Sequence, residues 1–173
     1  MKYGRVLRLV SRVLTLFFAV ALESAVIPRF APPGVHADLV LILVILYSLD
    51  RGLLAGLGWG LAGGLLEDML AGGVIGISAL SKVTCGYLAG AMHEILFRDN
   101  LVVPTLLVAM TGIIKVAITL GLCISLGMLD GSLLHFIRVE IYSLLLTMFL
   151  TPAVAIWVAF SGNWEASHVG TEA

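Results

Sequence analysis

Residues 38–68 read DLVLILVILYSLDRGLLAGLGWGLAGGLLED, and the fold turns on whether this is one helix or two. A membrane-spanning helix takes about 20 mainly apolar residues. The stretch is too long for one such span, and a single helix would place Asp50 and Arg51 at mid-depth, where each unpaired charge costs about 2.5–3.5 kcal/mol even on the lenient insertion scale. Two short helices, 38–49 and 52–67, avoid that cost if they meet in a hairpin at Asp50-Arg51-Gly52 with its tip at a membrane interface.

The whole chain agrees with a membrane setting. Its residues are 60% hydrophobic and 12% charged, with a mean hydropathy of +1.09, whereas soluble domains run at roughly 45–50% apolar and 25% charged. A water-soluble fold is excluded on that ground. Other apolar segments run over 6–27, 77–97, 101–128 and 133–160, separated by Pro28 and Pro32-Pro33-Gly34, by a glycine-rich loop, by Arg98-Asp99-Asn100 and by Asp130-Gly131. The expected fold is all-α: a polytopic transmembrane bundle of about six helices forming one integral membrane domain over 1–173. That length leaves no room for a separate aqueous domain. The first segment reads as a retained helix and not a cleaved signal, because Glu23, Pro28 and Arg29 follow it without a small-x-small cleavage site.

Lys and Arg near segment ends stay in the cytoplasm. Six crossings put Lys2, Arg5, Arg8, Arg12, Arg51 and Arg98 on one side, against Arg29 and Arg138 on the other. Both termini are therefore expected to be cytoplasmic. A net charge of −1 provides no basic field for nucleic acid.

Gly52, Gly56, Gly60 and Gly64 recur every fourth residue, and Gly86 and Gly90 repeat the spacing further on. Small-xxx-small strips let helix backbones approach closely in lipid, so these six glycines are candidates for helix packing or a partner interface. Glu23, Glu67, Asp68, Lys82, His93, Glu94, Lys115, Arg138 and Glu140 are ionisable residues at or near membrane depth, where such groups are costly and rarely face lipid. Arg138 and Glu140 lie close enough to a helix end to snorkel, and His93 and Glu94 stand near the cytoplasmic end of their segment. Lys82 can reach Glu67 or Asp68 across the glycine loop. Lys115 has no obvious neighbour in sequence; Glu23 on the first helix is a candidate partner. Cys85 and Cys123 sit in apolar runs without a His or carboxylate at ligand spacing, so they read as packing residues and not as a metal or disulfide pair. The sequence has no G-x-S-x-G, H-E-x-x-H or phosphate-cradling G-x-x-x-x-G-K pattern and no paired intramembrane aspartates. Catalytic, cofactor and metal residues are accordingly not expected.

Residues 60–80 form a glycine-rich helix ending in Leu-Leu-Glu-Asp, followed by Gly72-x-x-x-Gly76-x-x-Ala79-Leu80. With Leu22-Glu23-Ser24, Pro28 and Asp38-Leu39-Val40-Leu41-Ile42-Leu43, this stretch resembles the MreD family of bacterial rod shape-determining membrane proteins. The resemblance marks Asp38, Asp68, Gly72 and Gly76 as family-motif positions. Two positions depart from the pattern: Ala37 stands where the family often has Pro, and Glu23 where it often has Gln. The resemblance implies a non-enzymatic scaffold of the elongasome in the bacterial cytoplasmic membrane. It would need no cofactor, bind the bitopic protein MreC, and connect MreB filaments with cell-wall synthases. The family's fold is similar to the substrate-binding component of energy-coupling-factor vitamin transporters, so the alternative function is capture of a vitamin-like ligand.

Overall fold

The computed structural model of the chain describes residues 2–25, 34–72, 74–93, 102–127 and 132–160. These residues form six helices and no strand: α1 Lys2–Ala25, α2 Leu39–Arg51, α3 Leu53–Ala71, α4 Ile77–Ala91, α5 Val102–Ser125 and α6 Leu133–Phe160. The sequence-expected helix ends at 26–27, 94–97, 101 and 128 lie outside the described residues, as does Glu94. Three helices, α3, α5 and α6, are long and apolar enough to cross a membrane.

The other arrangement of note is the centre. Every residue of α2 from Leu39 to Leu49 is buried, and α1, α3, α4, α5 and α6 all touch it. This explains its composition: a helix surrounded by protein has no polar face to show, so it is apolar all round. With 13 residues it is only about 20 Å long at 1.5 Å per residue, shorter than the roughly 30 Å hydrocarbon core. At least one of its ends must therefore sit below the membrane surface, where water is not at hand.

The hairpin at residues 50–52 is present, and Gly52 makes it. Its φ of +80° joins the end of α2 to the start of α3, a conformation that carries a steric penalty for residues with a Cβ. The tip is not simply bathed in solvent. The side chain of half-buried Asp50 is only 7% exposed and accepts from Arg12 Nη2 at 2.6 Å and from Arg51 Nε at 3.1 Å, while Arg51 is exposed. The Arg12 guanidinium also lies 5.1 Å from the ring centre of Tyr47, and Tyr47 packs against Trp59.

The glycine strip of α3 packs on α4. A Cβ added at Gly60 would stand 2.5 Å from the carbonyl oxygen of Lys82, and one at Gly90 would stand 2.6 Å from Leu53 Cα. Gly56 meets the backbone of Gly86, and Gly64 that of Ala79. The two backbones are in direct contact over about three turns. Gly52 stands apart from this set: it is the joint, and its nearest neighbour is the His93 ring.

Gly58 and Gly60 supply an internal control, because nothing lies within 4 Å of a Cβ at Gly58. Gly60→Ala should destabilise the purified protein by about 1–3 kcal/mol, the usual cost of overpacking. Gly58→Ala should be neutral or stabilising by up to about 1 kcal/mol through helix propensity. Thermal unfolding in detergent measures both, and equal behaviour of the two variants would contradict the packing described.

Candidate functional site: a buried ion network

Helix α2 begins inside the protein, and the first four N–H groups of any helix lack partners within it. Here each of the four has one. Asp38 N donates to Thr147 Oγ1 at 2.9 Å, Leu39 N and Val40 N donate to Glu23 Oε2 at 3.1 and 3.4 Å, and Leu41 N donates to Asp38 Oδ1 at 2.8 Å. Two residues before Asp38, in the approach to the helix, His36 N donates to Ser143 Oγ at 3.1 Å. Carboxylates at a helix N-terminus also face the positive end of its dipole. Glu23 of α1, Asp38 itself and Thr147 of α6 thus hold the start of α2 in place.

The other oxygen of Asp38 meets two cations. Lys82 Nζ donates to Asp38 Oδ2 at 3.0 Å and also to Glu67, and Lys115 Nζ donates to the same Asp38 oxygen at 2.7 Å. Lys82 is 0% exposed. Lys115 continues the buried stripe of α5 formed by Pro104, Leu107, Val108, Thr111 and Gly112, which carries its ammonium to the α2 N-terminus. All six helices therefore contribute to one buried cluster. Such pairs are weak evidence of net stability, since desolvation offsets their attraction, but removing one partner strands a buried charge.

The sequence reading paired Lys82 with Glu67 or Asp68, and the structure brings Lys82 to Glu67 and to Asp38. Asp68 does something else. It accepts from Gly76 N at 2.7 Å, Ser78 N at 3.1 Å and Ala79 N at 3.3 Å, capping α4 across the loop as Glu23 caps α2. Gly72 and Gly76 adopt φ of +66° and +113° in that loop. The adjacent acids Glu67 and Asp68 thus divide two tasks. Lys115 pairs with Asp38 and not with Glu23, whose carboxylate is spent on backbone N–H groups. Glu140 does not snorkel: it is buried, while Arg138 is exposed. Cys85 is buried and donates to the Thr111 carbonyl at 3.2 Å, and Cys123 is half-buried. His93 Nδ1 contacts the Leu49 carbonyl oxygen at the far end of α2.

Carboxylate oxygens of Glu23, Asp38 and Glu67 lie within 4.8 Å of one another, a spacing compatible with a metal ion. The donor set does not fit one, because the Lys82 ammonium already binds two of the three and a second positive charge there would be repelled. A cavity of about 10 Å³ adjoins the cluster, lined by Asp38, Lys115, Glu140, Ser143 and Thr147 among others. It holds one water-sized particle and is far smaller than the roughly 300–1,000 Å³ of small-molecule sites.

These features define a multi-helix membrane protein built around a charge-paired interior. Residues 3–160 match the family model described as rod shape-determining protein MreD, and the chain belongs to that family. Neither a comparison with curated proteins nor one with solved structures finds a match.

Lys82→Met should cost about 3–5 kcal/mol, because Asp38 and Glu67 are left facing each other in a buried site. In the double variant Lys82→Met with Glu67→Gln, the loss should be smaller than the sum of the two single losses by about 1–3 kcal/mol. A double-mutant cycle on unfolding midpoints measures this coupling; additive losses would show that the two side chains do not interact.

Proposed function

We propose that this chain is a non-enzymatic scaffold of the cell-elongation machinery in the bacterial cytoplasmic membrane. Residues 1–173 act as one integral membrane domain with both termini in the cytoplasm. It binds MreC and, through the assembly, couples MreB filaments to the peptidoglycan synthases, maintaining rod shape. The observation that carries this reading is the family match over residues 3–160. Two structural facts support it. The charged groups at the centre are largely consumed by capping helices and pairing with each other, and the cavity beside them is too small for a vitamin. The outward faces of α5 and α6 carry exposed apolar side chains, including Leu106, Met110 and Ile113 on the first and Leu145, Phe149 and Ile156 on the second. Lipid or a partner's transmembrane helix fits such faces.

A tagged copy purified from native membranes in mild detergent should bring down a bitopic coiled-coil protein and cell-wall synthases, identified by mass spectrometry. Recovery of ATPase subunits together with a bound small molecule would instead identify a transporter component. Gly60→Leu, which disrupts the α3–α4 contact, should reduce complex yield and round the cells; unchanged yield with normal rods would count against the scaffold.

A further inference from the structure

Helix α6 has two faces that differ in kind. Glu140, Ser143, Thr147 and Thr151 are turned into the protein and buried. On the opposite side His135, Arg138, Tyr142, Leu145, Phe149 and Ile156 are exposed or nearly so and recur at intervals of three, four and seven, the spacing of one stripe along an α-helix. The stripe changes character along its length. Nearest the N-terminus it carries an imidazole, a guanidinium and a phenol; further on it is apolar, with Phe149 81% exposed.

That order follows membrane depth. With 28 residues α6 is about 42 Å long, so it exceeds the roughly 30 Å hydrocarbon core and reaches into the headgroup layers. Arg138 lies five residues from Leu133, where the helix begins, or about 7.5 Å along the axis. Side chains on a helix lean toward its N-terminus, which carries the Arg138 guanidinium and the Tyr142 hydroxyl toward that membrane surface and toward His135. Among the described residues Arg138 makes no hydrogen bond and no ion pair. Glu140, two residues on, is turned to the buried side. A cation at the lipid boundary without a carboxylate from the protein takes its counter-charge from the membrane, and the planar guanidinium matches a pair of phosphate oxygens. A partner's helix packs best on small residues that let backbones approach, whereas this stripe is made of bulky side chains.

We propose that the exposed stripe of α6 is a binding site for one anionic phospholipid. Arg138 holds its phosphate, His135 and Tyr142 donate hydrogen bonds to the headgroup, and an acyl chain lies along Leu145 and Phe149. The bound lipid helps set the depth of α6 in the bilayer, and with it the depth of the ion network on the helix's other face.

The test uses the full-length protein in dodecyl maltoside, supplied with phosphatidylglycerol or with phosphatidylcholine of the same acyl chains, and counts bound lipid by native mass spectrometry. The unsubstituted protein should retain phosphatidylglycerol about fivefold more readily, the factor that one basic residue near an anionic surface contributes. Arg138→Gln should abolish that preference, and Arg138→Lys, which keeps the charge, should retain most of it. Arg51→Gln removes another exposed arginine, at the α2–α3 hairpin, and should leave the preference unchanged. The comparison of the two lipids on the unsubstituted protein stands without any variant. Equal retention of the two lipids, a preference that survives Arg138→Gln unchanged, or one lost equally on Arg51→Gln would overturn the assignment and leave this face to a partner's helix.

Discussion

A helix that starts beneath a membrane surface must find protein partners for its first four backbone N–H groups, because the bilayer provides none. The position of α2 imposes that constraint, and much of the polar chemistry of this chain answers it. Glu23, Asp38 and Thr147 take up the four donors. Meeting the constraint with carboxylates creates a second one, since buried carboxylates need counter-charge, and Lys82 and Lys115 supply it from α4 and α5. The same solution appears at α4, where Asp68 at the end of α3 takes three N–H groups across a short loop.

Pairing at both ends also fixes the register of α1 against α2. Arg12 and Glu23 are eleven residues apart on α1, and Asp50 and Leu39 are eleven apart on α2. Antiparallel helices with equal rise bring both pairs together at once. A one-residue slip would separate both, which is how buried ion pairs specify an arrangement even where they add little net stability. Glycine contacts do the corresponding work between α3 and α4, where the two backbones meet without intervening side chains. The remaining faces of α5 and α6 are left apolar and exposed, as surfaces toward lipid or a neighbouring protein are.

The bundle was legible in the sequence because its signals are local: apolar runs of spanning length, the Asp50-Arg51-Gly52 break and the four-residue glycine period. The ion network was half legible. Lys82 with Glu67 came from proximity across a loop, but Asp38 joining Lys82 and Lys115 depends on which helices adjoin, and no local pattern encodes that. One signal was present and unused: Glu140, Ser143, Thr147 and Thr151 recur at intervals of three and four along α6, a polar stripe on one face of an apolar helix, and all four are buried. In a membrane helix such a stripe marks the inward side, and it would have turned Glu140 from the surface to the interior. The capping roles of Glu23 and Asp68 were hidden for another reason, because a carboxylate near a helix end looks the same in sequence whether it meets water or a neighbouring helix.

The unfolding midpoint of Asp38→Asn tests this account most directly. Asn caps a helix about as well as Asp, so the substitution spares the start of α2 while removing the charge shared by Lys82 and Lys115. The account predicts a large loss, about 3–5 kcal/mol as for other broken buried pairs, with most of the damage of Asp38→Ala already present in Asp38→Asn. A variant as stable as the unsubstituted protein would contradict it and reduce Asp38 to a helix cap.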